Sequence, residues 1–137
     1  MATTTPISQP YQMGATDVIF TSLAASTTIP KGALVCNDAG VAKNATSALI
    51  AAGAKFLGFA SETYKNETAS TLTVRMLLLR GCAYEAGGKA GDLPTAANIG
   101  GNVFIHDNNS IKATDAGGDT ACVLTKIVGS TYTVRLP

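Results

Sequence analysis

Short β-branched and aromatic runs, each cut off within a few residues by Gly, Pro, Asn or Asp, most limit what this chain can fold into. Fourteen glycines and five prolines are spread along 137 residues, and between them the side chains alternate at the two-residue period of a half-buried strand rather than the 3.6-residue period of a helix. The clearest run is Thr71 to Gly81, in which Leu72, Val74, Met76 and Leu78 share one face. The opposite face starts polar at Thr71, Thr73 and Arg75 and turns apolar at Leu77 and Leu79, as expected of a strand running from a surface into a region covered on both sides. Tyr132, Val134 and Leu136 alternate with Thr131, Thr133 and Arg135 in the same way.

Other segments complete a mainly β expectation. Asp17 to Thr21 and Phe56 to Ala60 read as strands, and Thr27 to Cys36 as a turn leading into a short strand that Asn37-Asp38-Ala39-Gly40 ends. Hairpins are expected across Asp107-Asn108-Asn109 and across Gly129-Ser130, and a loop over Gly87 to Pro94. Ala45 to Ala54 is the one helix candidate, with Thr46 or Ser47 as its N-cap and Gly53 near its end. Residues 1–17 carry Thr, Ser, Gln and two prolines without helical spacing, so they predict an extended N-terminal arm. Residues 18–137 are then one β-rich domain, a small β-sandwich or barrel with at most one short helix.

Charge narrows the partners. Charged residues make up 14% of the chain and the net charge is +1, against roughly 25% charged residues in a typical soluble domain. Lys and Arg are scattered, which predicts no nucleic-acid footprint and no basic membrane patch. The apolar run Met76 to Leu79 is too short to span a bilayer. The start, Met1-Ala2-Thr3-Thr4-Thr5-Pro6, lacks the basic and apolar regions of a secretory signal, which predicts a soluble protein that begins life in a cytoplasm.

The search for reactive groups nominates no catalytic, cofactor-binding or metal-ligating residue. Cys36, Cys82 and Cys122 are odd in number and far apart, which predicts buried thiols rather than a disulfide framework or a zinc site. His106 has Asp107 beside it, but strand neighbours point to opposite faces, so an ordinary exposed or strand-end histidine is expected. Asp115 and Asp119 flank a Gly-Gly pair without the further oxygen ligands of a calcium loop, which predicts a solvated loop. Glu62, Glu67 and Glu85 are too scattered for an acid/base pair, and Gly87-Gly88 meets no phosphate-binding spacing. Asn44, Asn66 and Asn108 begin glycosylation sequons that, without a secretory signal, are expected to be turns.

From Pro30 onward the order of segments resembles the bacteriophage capsid cement, or head decoration, proteins. The resemblance rests on Pro30-Lys31-Gly32-Ala33-Leu34-Val35, then Leu57-Gly58-Phe59-Ala60, then an apolar strand ending in Arg80-Gly81-Cys82-Ala83-Tyr84-Glu85. Gly101 to Ile105 before a short hairpin and a close on Ile127-Val128-Gly129 and Thr133-Val134-Arg135-Leu136 complete it. It covers about residues 28–137, and its specificity lies in order and spacing. It implies a β domain that attaches to the outside of an assembled shell, often as a homotrimer, with the major capsid protein as partner, no cofactor and no enzymatic activity. The arm has no counterpart in that pattern. It is expected to be disordered in the free protein and to order on the shell as a strand added to a sheet edge. The other reading of the residues is a carbohydrate-binding or adhesin-like β-sandwich, although the chain has no Trp and only four Tyr and four Phe for an aromatic platform.

Overall fold

The computed structural model describes residues 3–7, 9 and 15–137. Strands dominate, as the alternation predicts, and they close into two small barrels. The first joins β1 (Thr16–Leu23), β3 (Leu34–Asp38), β4 (Val41–Asn44), β5 (Lys55–Ala60) and β7 (Leu72–Arg80) in the order β1-β4-β3-β5-β7. Its closure is thin at one seam, where β1 meets β4 through the single parallel pair Leu23 and Ala42. The second joins β8 (Ala83–Gly88), β9 (Asn102–Ile105), β10 (Ser110–Lys112), β11 (Ala121–Val128) and β12 (Thr131–Arg135) in the order β10-β8-β12-β11-β9. β2 (Thr27–Ile29) and β6 (Tyr64–Asn66) pair separately as a two-stranded sheet. Closure leaves few unpaired edges for a small β protein to protect.

Local chemistry explains the elements that were expected. In β7, Met76 and Leu78 are wholly buried, Leu72, Thr73 and Arg75 are exposed, and Leu77 and Leu79 are half-buried, so the strand does run from surface to interior. β11 and β12 form the hairpin expected across Gly129, whose φ of +59° suits a tight turn. β9 and β10 form the other, pairing Ile105 with Ile111. The helix α1 is shorter than the sequence suggested, Ser47–Ala51, because its Ala-rich helix buries little beyond Ile50. Thr46 caps it, its hydroxyl accepting the Leu49 N–H at 3.1 Å.

Several strands carry no sequence signal. β4 reads Val-Ala-Lys-Asn and is paired only because the turn at Ala39-Gly40 folds it back on β3. The expected loop at Gly87-Gly88 is corrected: both glycines belong to β8, and a Cβ at Gly88 would meet Leu93 and the Tyr132 ring at 2.6 and 2.7 Å. β1 begins at Thr16, one residue before the run that the sequence marks from Asp17.

Two core clusters hold the fold. Leu23, Ile29, Val35, Met76 and Leu78 are among those filling the first barrel. The second cluster runs continuously from Leu34, Cys36, Phe56 and Phe59 of the first barrel, through Ile50 of α1, to Tyr84, Ile105, Leu124 and Val134 of the second. The barrels therefore share a core rather than standing as independent units.

Candidate functional site

The residues with reactive side chains lie on separate parts of the fold. Cys36, Cys82 and Cys122 are buried and unbonded to one another. Burial pushes the Cys36 thiol up to about 11 and the Cys122 thiol to about 12, and raises Cys82, so none is a ready thiolate. His106 is half-buried beyond the end of β9; burial lowers its pKa, outweighing the neighbouring Asp107 charge, and its buried Nδ1 has no hydrogen-bond partner among the described residues. Asp107 turns to the hairpin instead, accepting from the Ser110 hydroxyl at 2.6 Å and the Asn109 N–H at 3.1 Å. Glu62, Glu67 and Glu85 are exposed on separate segments. Among the described residues no three His, Cys, Asp or Glu side chains group to hold a metal.

The Asp115–Asp119 loop corrects one expectation. Asp115 is exposed and ties the loop through the Gly117 and Asp119 N–H groups. Asp119 is not solvated: its side chain is 0% exposed and pairs with Lys112, 5% exposed, at 2.8 Å. The Ala116 N–H adds a bond of 2.7 Å. A buried pair of this kind needs such extra bonds to offset its desolvation.

The three sequon asparagines are also more than turn residues. Asn66 is 2% exposed at the end of β6 and donates to the carbonyls of Leu23, Ala24 and Ser70, while its oxygen accepts from Thr68. Asn44, the last residue of β4, donates to the Thr28 carbonyl and accepts from Asn108 at 2.9 Å. Asn108, wholly buried in the hairpin between β9 and β10, also accepts the Leu34 N–H on its carbonyl, so it bridges the barrels. Sequence spacing exposed these positions as motifs, but only burial reveals their work.

One surface feature brings separate elements together around a segment that lies on the domain. The carboxamide of Asn108 accepts the Thr3 N–H at 3.0 Å and donates to the Thr3 carbonyl at 3.0 Å. Four residues along, the Ile7 N–H bonds the Lys31 carbonyl at 2.6 Å. Gly32, with φ +83°, has no side chain there because a Cβ would fall on the Ile7 carbonyl. Farther on, the Gln9 carboxamide accepts the Glu85 N–H at 2.8 Å and donates to the Glu85 carbonyl at 3.1 Å. Tyr84 underlies this strip; it is wholly buried, donates to the Gly32 carbonyl at 2.5 Å, and lies 5.5 Å from the Phe59 ring.

The Gln9 contact has a simple backbone origin. Leu136 N–H bonds the Cys82 carbonyl, so in the antiparallel β8–β12 ladder the even-numbered residues of β8 face β12. The N–H and C=O of Ala83 and Glu85 then point to the opposite edge, where β10 begins to pair only at Gly87. Gln9 fills the gap as a strand's peptide group would. The result is a groove across both barrels, floored by Gly32, Tyr84 and Asn108 and ending on the β8 edge. Comparison of the chain with protein-family models, with curated proteins and with solved structures gives no match in any of the three.

Proposed function

We propose that this chain is a structural virion protein that binds the outer surface of a bacteriophage capsid and cements it, as a homotrimer partnered by the major capsid protein and without enzymatic activity. The observation that carries this reading is the ordered series of segments from Pro30 to Leu136. Those segments fall on β3, β5, the β7–β8 junction, β9 and the β11–β12 hairpin, the parts of the chain that build the two barrels.

The surface chemistry is compatible with that role. A protein that bridges shell subunits must give up water over roughly 1,600 Å² for an ordinary interface. With 14% charged residues, few charges need desolvating, and Ile19, Leu93, Ile99, Val123 and Val128 offer exposed apolar contacts. Many copies on one shell turn modest contacts into lasting attachment. The protein would be made in the host cytoplasm and reside on the capsid exterior.

The test is co-sedimentation of the purified protein with expanded capsid shells, together with its mass in solution by light scattering. Saturable binding that raises the temperature at which shells rupture, with a trimeric free protein, is the expected result. Shells that neither retain the protein nor gain heat resistance would overturn the proposal. Deleting residues 1–9 is expected to weaken retention.

A further inference from the structure

We propose that the groove holding Thr3, Ile7 and Gln9 is a self-recognition site that takes the arm of a second copy of this chain in the same register, linking copies by arm exchange. The inference goes beyond the decoration reading and does not rest on it, because every contact it uses lies within the free protein.

The groove reads a peptide bent at Thr4-Thr5 by its main chain at two points and by one side chain at a third. Asn108 clamps the N–H and C=O of Thr3, the Lys31 carbonyl takes the Ile7 N–H, and the outward edge of β8 takes the Gln9 carboxamide. These bonds set a register: a main-chain clamp, an apolar residue four positions on beside the bare Gly32, and a glutamine two positions after that. Ile7 packs against the first barrel's core cluster, which gives the middle position an apolar preference. The chain's own segment meets every requirement, so the arm of a second copy, identical in sequence, meets them too.

The attachment is also transferable. The described arm residues enter neither barrel's strand order. Among the described residues from Thr3 to Gln9, Thr4, Thr5 and Pro6 are exposed and Thr3, Ile7 and Gln9 are half-buried, so the bonds named above hold this stretch. An identical arm from a neighbour makes the same bonds, which is why exchange of a terminal element between protomers needs no new surface. Within one chain the tether supplies a high effective concentration; between copies held side by side, neighbouring arms reach comparable values. In a cyclic assembly each groove is filled by the next copy's arm, and the β8 edge stays covered.

The experiment uses the full chain. A photo-reactive benzoylphenylalanine replaces Thr4, which is exposed. Normal and heavy-isotope-labelled forms of this protein are mixed, incubated at rising concentration, irradiated and digested. The expected result is mixed-isotope products joining the arm of one form to peptides around Lys31, Glu85 or Asn108 of the other, growing with concentration. With Ile7→Ala and Gln9→Ala in the arm, those products should fall several-fold while circular dichroism at the labelling temperature still reports a folded β domain. Products confined to single chains, mixed products mapping elsewhere, or mixed products undiminished by the arm substitutions would each overturn the proposal. Shell binding can succeed or fail independently of all three.

Discussion

Lys112 and Asp119 show how far a local pattern can mislead. Two aspartates around Gly-Gly look solvated, yet the second is sealed against a buried lysine. Burial alone would raise the Asp119 pKa; bonds from Lys112 and the Ala116 N–H outweigh it and hold the group below its ordinary 3.8. A depressed carboxyl stabilises the fold fully above that value and ceases to do so as pH falls through the lower folded-state pKa. His106 acts earlier. Its pKa is lowered from 6.5 by burial, so the unfolded chain takes up the proton first and stability declines as pH drops below 6.5. Thermal melting between pH 8 and pH 2 should therefore show a shallow loss below neutrality and a steeper one below the carboxylate range. Asp119→Ala should remove the contribution of the pair and cost about 3–5 kcal/mol near neutral pH by stranding Lys112, read by denaturant unfolding. Asn66→Ala should cost about 2–4 kcal/mol, since three buried or part-buried carbonyls lose their donor; an equilibrium unfolding curve unchanged from the parent would refute that role.

At the level of elements, caps and glycines decide where strands begin, bend and stop. Thr46→Ala should cost about 1 kcal/mol by freeing the Leu49 N–H, with α1 amides exchanging faster while the strands keep their protection. Gly58 has a larger role. It sits in the β5 bulge at φ +139°, where a Cβ would fall on the Leu79 carbonyl of β7. Gly58→Ala should therefore destabilise the protein by more than about 2 kcal/mol, measured as a shift in the denaturant midpoint. Strands with alternating Val, Leu, Tyr and Thr were legible from spacing, as β7 and β12 show. β4, β6 and β8 were not, because Val-Ala-Lys-Asn, Tyr-Lys-Asn and Ala-Tyr-Glu-Ala-Gly-Gly hold too few alternating apolar residues to signal a strand. Their pairing comes from neighbours that are remote in sequence.

For the molecule as a whole, the shared core makes a thermodynamic prediction. Phe59 of the first barrel meets Tyr84 of the second, Leu34 N–H bonds the Asn108 carbonyl at 2.8 Å, and Ser47 N–H bonds the His106 carbonyl at 2.8 Å. The barrels should unfold in one transition, with calorimetric and van't Hoff enthalpies equal. Phe59→Ala should lower that single transition by about 3–5 kcal/mol rather than split it. Two resolved transitions would show independent barrels. The candidate groove depends on the same junction, because its floor comes from the β2–β3 turn, β8 and the β9–β10 hairpin. What the sequence by itself determined is the class of the fold: periodicity and punctuation by Gly, Pro and Asn are local properties, and they specify short strands joined by tight turns. Only the tertiary structure decided that these strands close as two barrels with one core, that the Asp119 side chain, Asn66 and Asn108 are buried, and that Gln9 of the arm covers the β8 edge. Each of those depends on contacts between residues tens of positions apart, where burial and unpaired backbone groups, rather than any local pattern, select the partner.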